Sequence, residues 1–250
     1  MPQSKSVGIV VRVRNFGEAD RIYTILTKDR GKVSVLAKGV RKIKSKRAGS
    51  LDLLNEVNFS FDDKYSIPVL TEVQLLHSFE PIKNDLNKIK SAYIVLELID
   101  KFIEDLDVNE GAYRLLKGAL VCLETVENTD TDLMLCYFEL KLLESLGYNP
   151  EVSMCTECEK HYSSSWLQVR FSFENGGLVC EDHNNGLLIS HKQVELMRFI
   201  QANKFAKVLS EYSGFESGKT EQVVRGHIEY LLSGKIRSAG LKFNQDLMAF

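Results

Sequence analysis

Val7-Gly-Ile-Val-Val-Arg-Val-Arg14, Arg21-Ile-Tyr-Thr-Ile-Leu-Thr27 and Lys32-Val-Ser-Val-Leu-Ala37 are three short apolar runs rich in β-branched residues. That composition and length read as strands. Asn15-Phe-Gly-Glu-Ala-Asp20 supplies turn residues after the first run. Lys28-Asp-Arg-Gly31 makes a hairpin connection after the second, with Gly31 suited to a left-handed backbone. A fourth strand is expected from Leu53 to Phe61 and a fifth from Val69 to Phe79, separated by the turn Asp62-Asp-Lys-Tyr-Ser-Ile-Pro68. Five strands in roughly eighty residues, with no helical rhythm between them, suit a small closed barrel such as an OB-fold; an SH3-like barrel or a short sandwich patterns similarly.

Directly after the third strand the charge changes. From Arg30 to Leu51 there are eight Lys or Arg residues and no acid. Six of these, Lys38, Arg41, Lys42, Lys44, Lys46 and Arg47, fall within ten residues. The whole chain carries a formal charge of -2, so the positive charge is concentrated rather than general. Residues 1–80 hold 14 basic against 9 acidic side chains, whereas residues 81–160 hold 8 against 16, which suggests different partners for different parts. A local cation cluster on a near-neutral body is what a polyanion-binding surface needs; the alternative is a solvated basic loop with no partner. Phe16, Tyr23 and Tyr65 belong to the residue types that stack on bases, although packing in a core or turn explains each of them as well.

Pro81 marks the change to helix. Ile82, Leu86, Ile89, Tyr93, Leu96, Ile99 and Ile103 recur at three- and four-residue spacing. Asn109 is placed to cap a helix running to Val126, and Thr131 to cap another over 132–146, ended by Gly147 and Pro150. Residues 190–235 read as helical pieces broken near Ser213-Gly214 and Ser217-Gly218. Cys122 and Cys136 sit inside apolar patterns and read as buried small hydrophobes. The expected architecture is therefore an α+β multidomain chain. A five-stranded OB-fold barrel over residues 1–80 precedes a mainly α-helical domain over 81–250. No apolar run approaches the roughly 20 residues of a membrane helix, and the first residues do not resemble a signal peptide. Five cysteines, an odd number, argue for a reducing compartment, so a cytoplasmic protein is expected.

Cys155-x2-Cys158 and Cys180-x2-His183 are two knuckles separated by 21 residues. Such pairs wrap one ion tetrahedrally, and thiolate with imidazole selects zinc. Between them Trp166 to Phe173 alternates like a strand and Glu174-Asn-Gly-Gly177 makes a tight turn, which is the pattern of a zinc-ribbon-like insertion at about residues 152–186. His161 competes for the fourth position; His183 completes the second knuckle symmetrically. Four protein ligands leave no open coordination position, so one structural Zn2+ is expected.

Catalytic signatures are missing: there is no dinucleotide or phosphate-binding glycine loop and no nucleophile elbow. Asp62-Asp63 lacks the further carboxylates of a two-metal site. His77, His191 and His227 stand singly and read as structural or solvated. The sequence makes no case for an enzyme, although a zinc-containing nuclease and a protein-interaction adaptor with a basic loop remain as rival readings.

Val7-Gly-Ile-Val, Gly17-Glu-Ala-Asp-Arg-Ile, Thr24-Ile-Leu-Thr, Gly31-Lys-Val-Ser-Val-Leu-Ala-Lys-Gly-Val-Arg-Lys and Ser45-Lys-Arg resemble the RecO family of bacterial recombination and repair mediators. The likeness extends in layout through the helical middle and the late knuckles, with His183 where the family often has Cys. It implies an N-terminal OB-fold, a helical domain and a variable zinc insertion. It also implies binding to single- and double-stranded DNA, annealing of complementary strands, and assistance to RecA in replacing single-strand binding protein. The implied partners are RecR, the C-terminal tail of single-strand binding protein, RecA and, in some pathways, RecF. On that reading Lys38, Arg41, Lys42, Lys44, Lys46 and Arg47 neutralise phosphates, with Lys32, Arg12 and Arg14 as nearby candidates.

Overall fold

The computed structural model describes residues 4–42 and 48–240. It contains the strands β1 (Ser4–Phe16), β2 (Asp20–Thr27), β3 (Lys32–Ala37), β4 (Glu56–Asp62) and β5 (Val69–His77), which form a closed barrel in the order β1-β2-β3-β5-β4. β1 is long enough to serve two neighbours. Its first half pairs with β4, from Ser4 opposite Phe61 to Ile9 opposite Glu56, and its second half pairs with β2 out to Phe16 opposite Asp20. The register slips between Val10 and Arg12, so Ile9, Val10 and Val11 are all buried in a row instead of alternating. The barrel closes where β3 meets β5 in parallel: Leu36 lies opposite Val69 and its N–H donates to the Pro68 carbonyl at 2.7 Å. This closure is that of an OB-fold and excludes the sandwich.

The expected fourth strand begins too early. Leu54 is left-handed (φ 72°), fully buried, and donates to the Val10 carbonyl, while Val10 donates to the Asn55 carbonyl; the strand proper starts at Glu56. The slip in β1 thus frees the backbone groups that this turn uses. Gly31 takes φ +68°, as its place in the hairpin requires, and a Cβ there would strike the Asp107 backbone.

Inside the barrel Val10, Tyr23, Ile25, Val35, Phe59 and Phe61 form one cluster. Val40 and Leu51 join it from the long β3–β4 connection, at 2% and 1% exposure. Burying each contributes about 2 kcal/mol. The basic tract is therefore tied into the core at both ends.

Contacts divide the chain into two compact units. The first runs to Glu124 and resumes at Arg237; the second is Thr125–Ile236. The first accordingly holds the barrel together with α1 (Glu80–Lys83), α2 (Leu86–Phe102) and α3 (Glu110–Thr125). The expected stripe is broken at Asp85, whose carboxylate accepts from the N–H groups of Asn87 and Lys88 and so starts α2 afresh. Leu86, one of the expected inward residues, is exposed as a result, and Asn109 caps α3 as expected, accepting from Ala112 N. Two ionic pins hold the helices to the barrel. Asp100 of α2 receives Arg12 Nη1 at 2.9 Å and Lys32 Nζ at 3.3 Å. Glu56 of β4 receives Tyr113 Oη at 2.6 Å and Lys117 Nζ at 2.7 Å.

The second unit contains α4 (Thr131–Ser145), a three-stranded sheet in the order β7-β6-β8, and α5 (His191–Ala202), α6 (Phe205–Tyr212) and α7 (Gly218–Leu231). The sheet strands are β6 (Val169–Ser172), β7 (Gly177–Val179) and β8 (Leu187–Ile189). Thr131 does not cap α4. Its hydroxyl donates back to the Asn128 carbonyl in a preceding 3-10 turn, and Asp130 accepts from Ser213 and Gly214 instead. Ser190 and Gln193 form a reciprocal capping box for α5. Cys136 is fully buried in α4 and Cys122 half-buried in α3.

α4 and α7 enclose a charge. Glu139 is 0% exposed, with Arg225 Nε 3.6 Å away, and Arg225 also contacts Glu221 one turn earlier. Burial pushes the Glu139 carboxyl up to about 8; Arg225 opposes that shift, and Asp132 and Glu229 add to it. A carboxyl raised above its unfolded value binds more protons in the native state, so its contribution to stability is full below about pH 4.5 and is lost as pH rises towards 8. Glu139→Gln is expected to remove this dependence. In urea unfolding, the stability of the variant relative to the parent should rise between pH 5 and pH 8.5.

Candidate nucleic-acid interface and metal centre

The turn that follows β3 carries the first part of the basic tract. Gly39 takes φ +67° and donates its N–H to Asp20 Oδ1 at 2.7 Å, Arg41 N donates to the Ala19 carbonyl, and Lys42 N closes the turn on the Gly39 carbonyl. Arg41 Nη1 also reaches the Gly17 carbonyl at 3.4 Å. These bonds fasten the cationic turn to the β1–β2 turn. With Val40 turned into the core, Lys38, Arg41 and Lys42 face solvent. The backbone is held while the charges stay hydrated, an arrangement that suits contact with a phosphate chain without prior desolvation.

The nine cations expected at this surface separate by position. Lys38, Arg41 and Lys42 share the turn, and Arg14 is exposed near the end of β1. Lys44, Lys46 and Arg47 lie outside the described residues. Lys32 is a correction: it is 5% exposed, with its ammonium on the Asp100 carbonyl at 2.7 Å, on the Asp100 carboxylate and on Asp105 at 3.4 Å. Removing it would leave Asp100 uncompensated, so Lys32 holds α2 rather than a ligand. Arg12 is drawn to the same carboxylate and to Thr24. Strand parity explains both: Arg12, Thr24 and Ser34 face outward across β1, β2 and β3, on the side where Asp100 of α2 sits.

The sequence reading missed the neighbour of Lys38. Tyr65, in the β4–β5 turn, is 58% exposed and lies under the Lys38 ammonium, 5.7 Å from nitrogen to ring centroid. Their separation along the chain hides this contact, which the β3–β5 closure creates. Tyr23, by contrast, is wholly buried in the barrel core.

In the second unit Cys155, Cys158, Cys180 and His183 converge, all four ligand atoms lying within 4.8 Å of one another. The sulfurs of Cys158 and Cys180 stand 3.7 Å apart. That is far too long for a disulfide and close to the roughly 3.8 Å edge of a tetrahedron with metal–sulfur bonds of about 2.3 Å. The first knuckle is shaped by Glu159, left-handed at φ 59°, whose N–H returns to the Cys155 carbonyl, and by Cys155 N donating to the Lys160 carbonyl. Cys180 N points at Cys155 Sγ at 3.4 Å. Burial works against a Cys155 thiolate, but the N–H groups of Cys180, Glu157 and Cys158 outweigh it and lower the thiol below its usual range. Burial and the neighbouring Cys158 and Cys155 sulfurs push the Cys180 thiol up to about 12.

Outer contacts support the cluster. His183 Nδ1 meets Glu157 Oε2 at 3.1 Å, a carboxylate–histidine pairing of the kind that orients a ligating ring. Lys160 ties the knuckles together through Glu181 at 2.8 Å and Asp182 at 3.1 Å. His161 is exposed and lies apart from the cluster, pairing by backbone with Met154, so geometry selects His183 as the fourth donor. The remaining histidines have other work. His77 pairs with Glu124, His191 bridges the Tyr162 hydroxyl and the Trp166 carbonyl, and burial lowers His227 from its ordinary value.

Barrel, exposed cationic turn and a Cys3His cluster in a helical unit together define an α+β protein with a concentrated cationic surface and a four-donor cluster that could hold a metal ion. Comparison with known proteins gives the family. The description "Recombination protein O N terminal" matches residues 1–79, and "Recombination protein O C terminal" matches residues 83–239. A protein from Dehalococcoides mccartyi strain CBDB1 named "DNA repair protein RecO" is 34% identical over 233 residues, covering 91% of this chain and 90% of the relative. Another of the same name, from Roseiflexus sp. strain RS-1, is 30% identical over 249 residues, covering 97% and 85%. The chain belongs to the RecO family of DNA repair proteins.

The metal cluster makes a direct prediction. The parent is expected to carry one metal ion per chain; purified Cys180→Ser and His183→Ala proteins should carry none, while His161→Ala matches the parent. Loss in His161→Ala with retention in His183→Ala would reverse the ligand assignment.

Proposed function

We propose that this protein is a non-enzymatic recombination mediator. It binds single- and double-stranded DNA through the barrel, anneals complementary strands and helps RecA replace single-strand binding protein. The observation that carries the reading is the cationic turn of Lys38, Arg41 and Lys42, rigidly tied to the barrel by Val40 and the Asp20 and Ala19 bonds yet exposed at every charge. Lys44, Lys46 and Arg47, which follow in the sequence, are taken as further phosphate contacts, and the exposed Arg14 of β1 as another. Contacts of this kind hold phosphates without reading bases, which suits a protein acting at any damaged sequence. Annealing follows from the same chemistry, because two strands approach only when their mutual repulsion is screened.

In this reading residues 1–80 form the DNA-binding module, and residues 81–250 serve for partner contact. RecR, the tail of single-strand binding protein, RecA and RecF are the partners implied by the family resemblance. The Cys3His cluster holds one Zn2+, which fastens the short-stranded insertion and does no chemistry, since all four positions are filled by protein. The working place is the bacterial cytoplasm, with the DNA.

Each cation that meets a phosphate contributes to the salt dependence of binding. Lys38→Gln, Arg41→Gln and Lys42→Gln are each expected to reduce the slope of log affinity against log salt by about 0.7 on single strands. Lys32→Gln should instead lower the melting temperature. An unchanged slope in the Arg41→Gln, Lys42→Gln double variant would take the turn out of the binding site. Cleavage of labelled strands by the metal-loaded protein, in place of annealing, would favour the nuclease reading.

A further inference from the structure

The barrel unit holds six aromatic residues between positions 4 and 79. Tyr23, Phe59, Phe61 and Phe79 are each at most 4% exposed. Phe16 and Tyr65 are 45% and 58% exposed, and Tyr65 stands beside the cationic turn. Phe16 ends β1 and leads into the β1–β2 turn, whose Gly17 and Ala19 carbonyls hold Arg41. Tyr65 lies in the β4–β5 turn beside Lys38. The Arg41 guanidinium thus meets the β1–β2 turn at the Gly17 carbonyl, and the Lys38 ammonium meets the ring of the β4–β5 turn. Scattered exposed aromatics need no explanation, but one set against a fixed cation, in a barrel whose other rings are mostly buried, does.

Resting on the proposed DNA-binding role, we propose that Tyr65 is a base-stacking platform, with Lys38 placed for the phosphate of the stacked nucleotide. The Lys38 ammonium stands 5.7 Å from the ring centre. A base and its phosphate are joined by a single sugar, so a base laid on this ring brings its phosphate within reach of that ammonium. Stacking requires an unpaired base with a free face, whereas phosphates are offered equally by single strands and duplexes. The cations therefore attract any DNA, and Tyr65 supplies the preference for single strands. No base-specific hydrogen bond is needed, so the preference is for strand type and not for sequence.

The test compares Tyr65→Ala and Tyr65→Phe with the parent protein. Three probes are used: an oligothymidylate, the same oligonucleotide with abasic sugars, and a duplex of equal length. Tyr65 is exposed in a turn, and circular dichroism with thermal melting confirms that the variants fold. Tyr65→Ala should weaken oligothymidylate binding about tenfold, with abasic and duplex affinities unchanged to within about twofold and the salt slope preserved. Tyr65→Phe should bind like the parent. Lys38→Gln should lower the salt slope on all three probes. An equal loss of affinity on all three probes in Tyr65→Ala, or no loss on oligothymidylate, overturns the stacking proposal while leaving the cationic site standing. Failure of the parent protein to bind any of the three removes the DNA-binding reading itself.

Discussion

The pairing of Leu36 with Val69 is the constraint on which the first unit depends. Without it β1 to β5 would form an open sheet with a solvated face, and Tyr23, Phe59 and Phe61 could not share an interior. With it, the chain ends of β3 and β5 meet. Lys38 leaves one, Tyr65 arrives at the other, and two segments distant in sequence become one surface. The same closure buries Val40 and Leu51, which carry the ends of the basic connection into the core. A mobile basic loop would lose conformational freedom on every phosphate contact; anchored ends reduce that cost.

Charge in this unit is divided between two tasks. Lys32 and Arg12 converge on Asp100, and Lys117 with the Tyr113 hydroxyl on Glu56, where partial burial makes each pairing a positional device. Lys38, Arg41, Lys42 and Arg14 stay in water. Paired cations contribute little to an external field because their acids cancel it, whereas the exposed ones act over the screening length of about 8 Å at physiological salt. The charge presented to solvent is therefore smaller than the count of basic residues suggests, and more sharply placed.

The insertion of the second unit solves a different problem. Its strands are only three and four residues long; β6 and β7 are almost wholly buried, while β8 leaves Leu187 and Leu188 exposed. Three sulfurs and an imidazole within 4.8 Å of one another, with Lys160 joining the knuckles outside them, add a second tie to the buried Val169, Phe171, Leu178 and Val179. Nearby, the buried Glu139 between α4 and α7 shows a unit that tolerates an ionisable group against its own stability near neutral pH.

Periodicity and spacing determined a good deal without coordinates. The β-branched runs placed the barrel strands, the knuckles named all four members of the metal cluster, and Asn109 and Gly31 marked their caps and turns, because each of these signals is local. What escaped was decided by neighbours distant in the chain. Leu53 and Leu54 continue a strand-like pattern, yet the slip in β1 leaves backbone groups at Val10 that bend Leu54 into a turn. Lys32 looks like any other member of the basic run; only the approach of Asp100 from α2 shows that it is a pin. Thr131 has the chemistry of a cap but spends its hydroxyl on Asn128. The sequence by itself determined which residue types were available and where helix, strand and turn could form. The tertiary structure decided which cations remain free and which aromatic ring stands beside them, because burial and ion pairing are properties of the packed faces and not of the chain's local order.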